Sequence, residues 1–315
     1  MIDIAIILAC VLIAFSIGSN DTSNAFGISI GCGLLKFRTA LILLLIFVLI
    51  GVNLQGYAVM RTVGKELVGL SEKSLTISLI LSSFIIVLSN WRRFPLSSHQ
   101  VIIGSLTGSA LALGLSVNLY TLTRIVASWV ISPISAFFLA IVIYKVLEEI
   151  LMRYSVFIAE RVLSVLLLLS ALIIAYNTGA NELATAIGSI VHYGILNPIH
   201  AGIIGSLSLF LGAFALSHRV VETVGKDITA LDVISGFSAQ FGAGLSVWLF
   251  TTLGMPVSTT YCIIGGISGV GFLKGVGTVK VDLLKKIILS WIMAPTLSFS
   301  LSFALGKLIY VFELG

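Results

Sequence analysis

One polar stretch interrupts hydrocarbon-length sequence twice, the second copy offset from the first by 161 residues. The first copy is Gly18-Ser19-Asn20-Asp21-Thr22-Ser23-Asn24-Ala25, and the second is Gly179-Ala180-Asn181-Glu182-Leu183-Ala184-Thr185-Ala186. An ionisable side chain at membrane depth is costly and is by default functional. Duplication of the cost at one register makes the chain two copies of one unit. Thr62-Val63-Gly64-Lys65-Glu66 returns as Thr223-Val224-Gly225-Lys226-Asp227, and Pro95-Leu96-Ser97-Ser98 returns as Pro256-Val257-Ser258-Thr259. Gly104 and Gly108 return as Gly265 and Gly269. After one inserted residue, Trp129–Pro133 returns as Trp291–Pro295. The units are residues 1–147 and 158–315, joined by a short connector, 148–157.

The apolar runs fix the class. Hydrophobic residues make up 58% of the chain and charged residues 10%, against about 25% charged in soluble domains. Several runs approach the roughly 18 residues that read as a membrane span. The alternating pattern of a membrane β-barrel is absent. The reading is an all-α polytopic membrane protein. The net charge of +5 is scattered over short loops, which excludes a nucleic-acid surface. Cys10, Cys32 and Cys262 lie in apolar segments without metal-ligand spacing.

Loop charge orients the copies, because cytoplasmic loops collect Lys and Arg. Lys36, Arg38, Arg92 and Arg93 mark two loops of the first half, while their counterparts near Asn197 and Gly254 carry none. Conversely, Lys274, Lys280, Lys285 and Lys286 stand where the first half has mainly Arg124. The bias alternates, as two inverted-topology repeats require, with both termini outside. Discontinuous or re-entrant helices at the midplane belong to that plan. The expected breaks are at Gly18–Asp21 and Asn181–Glu182, and at Pro95 and Pro256, where a proline followed by hydroxyl residues signals a helix start. The duplicated Thr-Val-Gly-Lys lacks full phosphate-loop spacing and reads as a turn between spans.

Four helix N-termini meeting in the core would suit an anion, phosphate above all. Ser97, Ser98, Ser258, Thr259 and Thr260 add hydroxyl donors, and Asn20 and Asn181 are counted with the phosphate ligands. No Lys or Arg falls inside either motif pair, so bare carboxylates would repel such an anion. The conflict disappears if each carboxylate holds a hard cation, such as sodium, that travels with the anion. Asp21, Asn24, Asn181 and Glu182 supply oxygen ligands for it, with Asn20 beside them. The composition of the site therefore predicts cation-coupled anion symport. His99 matches Thr260 in the second half, which places an imidazole near the site. The glycine pairs read as close helix packing.

At these motifs the chain resembles the inorganic phosphate transporter (PiT) family of sodium- or proton-coupled permeases. Its signature is a duplicated Gly-Ala-Asn-Asp-Val-Ala-Asn-Ala. Gly18, Asn20, Asp21, Asn24 and Ala25 match it, as do Gly179, Ala180, Asn181, Ala184 and Ala186. The Pro-hydroxyl motifs resemble the family's too. The resemblance covers essentially the whole chain. It implies a phosphate symporter with inverted repeats, assembled as a homodimer in the cell (inner) membrane. Glu182 and Thr185 depart from the signature. The weighed alternatives are a proton-coupled phosphate or sulfate permease, a passive channel, and an intramembrane enzyme acting on a lipid phosphate with Asp21 and Glu182 as acid and base. No nucleophile with an adjacent base stands out, so no enzyme and no cofactor beyond the coupling ion is expected.

Overall fold

The computed structural model describes residues 2–92, 96–228, 233–275 and 281–314. They form α1 (Ile2–Gly31), α2 (Phe37–Leu54), α3 (Gly56–Arg61), α4 (Glu72–Trp91), α5 (Ser98–Ala112) and α6 (Leu119–Leu151). The second half follows as α7 (Val156–Asn177), α8 (Ala184–Tyr193), α9 (Pro198–Ile228), α10 (Val233–Thr252), α11 (Thr259–Lys274) and α12 (Val281–Leu314). Two π-helical turns, Thr62–Glu66 and Thr178–Leu183, extend α3 and join α7 to α8. An isolated antiparallel bridge, Val68–Val117, is the only β pairing among the described residues. Among the described residues, eight helical stretches are long and apolar enough to cross a bilayer. Helices suit that solvent because they satisfy every backbone group internally.

Local sequence sets the helix ends. Ser71 and Ser74 form a reciprocal capping box at the start of α4. The Asn118 side chain accepts the Thr121 N–H at 3.1 Å and caps α6. Large apolar side chains exposed at helical spacing, such as Ile42, Ile46 and Ile50 on α2, provide the lipid-facing stripe. The opposite faces bury Leu41, Leu44, Val48 and Val52.

Packing repeats at the duplication offset. Gly18 lies directly against the Leu209 carbonyl, and Gly179 against the Val48 carbonyl. Gly51 abuts Tyr176, and Gly212 abuts Phe15. Gly104 and Gly108 of α5 pack on Pro295 and Phe299 of α12, whereas Gly265 and Gly269 of α11 pack on Pro133 and Phe137 of α6. Each contact returns with its partners moved by the repeat offset, so each half lends its small residues to helices of the other. Gly18→Ala and Gly179→Ala each drive a methyl group into a backbone carbonyl, which should cost about 1–3 kcal/mol. At Gly236 the added carbon would meet Ile28 at an ordinary 3.5 Å. Thermal midpoints in detergent should fall for the first two variants. Gly236→Ala should hold its midpoint or gain slightly, through a helix preference of up to about 1 kcal/mol.

The helix breaks lie elsewhere than the acidic motifs suggest. The chain does not break at Gly18–Asp21, since α1 runs unbroken through it. The reason is local: Ser19, Thr22 and Ser23 turn their hydroxyls onto the carbonyls of Ser16, Gly18 and Asn20 at 2.6–2.8 Å. Polar side chains satisfied within their own helix need no gap in it. The second motif widens into the π turn Thr178–Leu183 without ending the helical path, a form of irregularity common at functional sites. True starts inside the protein occur at the hydroxyl motifs. There, α5 and α11 have 15 and 16 residues, only about 22–24 Å of helix for a core about 30 Å thick. Pro95 lies outside the described residues. Both copies of Thr-Val-Gly-Lys are expected as turns between spans; Thr62–Glu66 is a π turn, whereas residues 223–227 continue α9. The chain ends α2 at Leu54 and restarts as α3 at Gly56.

Candidate functional site

Asp21 of α1, the π turn between α7 and α8, and the N-termini of α5 and α11 converge. Thr260, in the first turn of α11, donates its hydroxyl to Asp21 Oδ1 at 3.5 Å. The preceding Thr259 donates its backbone N–H to Glu182 Oε1 at 3.2 Å. Both carboxylates therefore meet at one helix N-terminus, where negative charge is favoured by the dipole and the unpaired N–H groups.

Around Asp21 the groups are tied to one another but leave oxygen free. Asn24 Nδ2 donates to Asp21 Oδ1 and to Thr260 Oγ1, both at 2.8 Å. Asp21 Oδ2 and Asn24 Oδ1 accept no hydrogen bond among the described residues. Gln240 of α10 braces the stretch from behind. Its amide donates to the carbonyls of Asn24 and Ala25 at 3.1 and 2.6 Å, and its oxygen accepts from Ser170 at 3.0 Å.

Around Glu182 the geometry differs. Ser98 Oγ, at the start of α5, donates to Glu182 Oε2 at 3.4 Å. His99 Nδ1 lies 3.6 Å from the same oxygen. Asn181 is wholly buried. Its Nδ2 donates to Thr251 Oγ1 at 2.8 Å and to the Met255 carbonyl at 2.9 Å. Its Oδ1 accepts the Val257 N–H at 3.0 Å and contacts His99 Nε2 at 2.9 Å. A carboxamide offers two donors and two acceptor sites, and Asn181 uses all of them within the protein. Its task is to clamp the extended segment Met255–Val257 that aims α11. That leaves it no free group for phosphate or sodium, the two roles its duplication suggests.

The hydroxyl residues divide. Ser258 caps α11 by accepting the Tyr261 N–H at 3.5 Å. Ser97 precedes α5 without making a side-chain cap. The side-chain hydroxyls of Ser97 and Thr259 are buried and lack a partner among the described residues. Buried polar atoms ordinarily have a partner, so both hydroxyls are free to donate. Asn20 is exposed on α1, and the structure does not bring it to Asp21 and its partners. Cys10 and Cys262 are buried, while Cys32 is exposed at the end of α1.

Gln240, Thr251 and the pair Gln100–Tyr261 were not legible from the duplicated motifs. Tyr261 Oη lies 3.4 Å from Gln100 Oε1, and these two residues are themselves 161 apart. Equivalent positions of the two halves therefore touch beside the site. The signal for Gln240 was its isolation in an apolar span, since its counterpart at the repeat offset is Leu79.

The arrangement fits a hard cation at one carboxylate and an oxyanion at two helix N-termini. Asp21 and Asn24 provide the free oxygens, the ligand type such cations take. The Glu182 side offers no comparable set, because Asn181 is saturated and a ring nitrogen stands beside the carboxylate. A cavity of about 400 Å³, lined by Arg61, Glu66, Arg124, Thr252 and Gly254 among others, opens beside the Met255–Val257 segment. Arg61 pairs with Glu66 at 2.8 Å, and Arg124 stacks over Tyr120.

Comparison with known proteins places this geometry in context. A sequence profile of the phosphate transporter family matches residues 17–302. A Methanocaldococcus jannaschii protein, provisionally named a phosphate permease, is 39% identical over 94% of this chain and 94% of its own. The sulfate permease of Bacillus subtilis is 29% identical over 97% of this chain and 88% of its own. A solved structure titled the sodium-dependent phosphate transporter superposes with a TM-score of 0.89 at 24% identity, covering 98% of this chain and 99% of the other.

Proposed function

The chain belongs to the phosphate transporter family, and on that premise we propose a secondary active symporter that moves inorganic phosphate together with sodium. The protein is a multi-pass membrane transporter and not an enzyme. The observation that carries the finer reading is the meeting of two short helices, begun inside the protein, with buried unpartnered hydroxyls at Ser97 and Thr259 beside two carboxylates.

The division of labour follows from charge. Asp21 and Asn24 hold sodium through oxygen. Sodium offsets the Asp21 charge, which removes the repulsion a phosphate would meet. Ser97, Thr259 and the first-turn N–H groups of α5 and α11 then receive phosphate oxygens. Glu182 already accepts the Thr259 N–H and the Ser98 hydroxyl, which lowers but does not cancel its repulsion of the anion. Residues 1–147 and 158–315 act as inverted repeats about the connector 148–157, and rocking of one unit on the other exposes the site alternately to each side. Reciprocal glycine contacts and the alternating loop charges support that arrangement. The alternating charges also support an arrangement with both termini outside.

Cargo is tested by counterflow. Proteoliposomes loaded with unlabelled phosphate should take up labelled phosphate transiently above equilibrium, and loading with sulfate should drive much less. Preference for sulfate, the substrate in the name of the Bacillus subtilis relative, would replace phosphate in this account. The arginine-lined cavity predicts an entry effect. Arg124→Gln should raise the KM for phosphate about two- to fivefold, the worth of one exposed charge, without changing kcat. The difference should shrink at high salt.

A further inference from the structure

The extended segment Met255–Val257 connects the wall of the arginine-lined cavity to the N-terminus of α11. It follows Thr252, Leu253 and Gly254, which line the cavity. It leads into Thr259, whose N–H meets Glu182. Its three residues belong to no helix and are buried. Gly254 opens it at φ +71°, a conformation glycine adopts without steric penalty. Apart from the local bond of the Met255 N–H to the Phe250 carbonyl at 2.9 Å, two distant residues hold the segment. Asn181 bonds the Met255 carbonyl and the Val257 N–H at 2.9 and 3.0 Å. Trp129 of α6, itself buried, donates its Nε1–H to the Pro256 carbonyl at 3.0 Å.

Both holding residues recur in the other half, and there they are idle. Asn20 takes the place of Asn181, and its exposed side chain makes no hydrogen bond among the described residues. Trp291 takes the place of Trp129, and its Nε1 is buried without a partner. A buried N–H left unpaired is costly. The same side chains are thus engaged in one half and free in the other, so residue identity does not decide the difference. Elements with two discrete arrangements leave this trace in either one of them.

We propose that Met255–Val257 is a gate between the anion site and the arginine-lined cavity, and that Trp129 latches it shut through the Pro256 carbonyl. Opening breaks this bond, turns the chain at Gly254 and uncovers the start of α11 to the cavity. Trp129 is a positioning residue, since it touches the gate and not the cargo. The proposal rests on the transport reading above for what passes the gate.

The gate is tested by thiol labelling of the full-length protein in detergent with a water-soluble methanethiosulfonate, without sodium or phosphate, read at each cysteine by mass spectrometry. Cys32→Ser removes the exposed thiol, and Met255→Cys places one in the gate. Cys10, buried on α1, reports any general loosening. Adding Trp129→Phe keeps a ring and removes the N–H. It should speed labelling at position 255 about three- to tenfold, the net worth of one hydrogen bond, while Cys10 stays unlabelled. Trp291→Phe should leave the rate unchanged, because its N–H carries no bond here. An unchanged rate in Trp129→Phe, or a parallel gain at Cys10, would overturn the latch. Hydrogen exchange on the unaltered protein needs no variant. The Met255 and Val257 amides should exchange faster than those of Cys262–Gly266 within α11, and exchange as slow as the helix would overturn the gate. Labelling as predicted in a protein that accumulates no phosphate would uphold the gate and overturn the phosphate reading.

Discussion

An Asp21→Asn protein should fold and yet lose sodium-driven phosphate accumulation by about 100-fold. The substitution keeps size and shape. The new amide oxygen can still accept from Asn24 and Thr260, which now hold Asp21 Oδ1 at 2.8 and 3.5 Å. What disappears is the charge at the one carboxylate with a free oxygen beside Asn24. Removing one partner of a buried, desolvated charge pair costs about 2–5 kcal/mol, and about 2.7 kcal/mol is the hundredfold expected. Initial rates of labelled phosphate uptake across a sodium series would measure it. Thermal midpoints within a few degrees of wild type would show that the loss lies in the site. Sodium stimulation undiminished in Asp21→Asn would remove this carboxylate from the coupling scheme.

Asn181→Ala should be the most destabilising substitution in either polar motif, whereas Asn20→Ala should be nearly silent. The two asparagines are equivalent in sequence and opposite in structure. Asn20 is exposed on α1. Asn181 joins Thr251, Met255, Val257 and His99 at 2.8–3.0 Å. Truncation leaves the Val257 N–H, the Met255 carbonyl and His99 Nε2 buried and unmatched. Each such group costs about 1–3 kcal/mol, so three of them total about 3–9 kcal/mol. A fall of about 10 °C in thermal midpoint is expected, against a change within about 0.5 kcal/mol for Asn20→Ala. Equal midpoints for the two variants would show that the clamp on α11 carries little of the stability.

The all-helical membrane class of the protein was legible because it rests on a coarse signal. Long apolar runs specify spans whatever their neighbours do. Polar motifs at one fixed offset mark equivalent positions, and the glycine pairs at Gly104 and Gly265 do pack on opposite halves as their small size suggests. The half-length helices at Ser98 and Thr259 were also legible, since a proline and hydroxyl run is a strong start signal. The continuity of α1 was not. Serine and threonine read as helix-breaking in a row, yet here each bonds back to a carbonyl three or four residues earlier. The task of Asn181 was hidden for another reason: its partners lie 70 or more residues away. Gln240 was hidden because a search by duplication finds only what both halves share.

The same asymmetry shapes the functional account. Duplication supplied two acidic sites of one ancestry, but the residues facing them have diverged. Thr260 keeps oxygen beside Asp21, and His99 puts nitrogen beside Glu182. In the alternating-access mechanism proposed above, the two halves need to match in packing. They do not need to match in ligands.

The most direct test of sodium-coupled phosphate transport uses purified protein in sealed proteoliposomes. Labelled phosphate uptake would be followed under an inward sodium gradient at fixed pH, and separately under an inward proton gradient without sodium. Accumulation above the equilibrium level with sodium, and not with protons alone, is the predicted result. Accumulation with protons alone would contradict it.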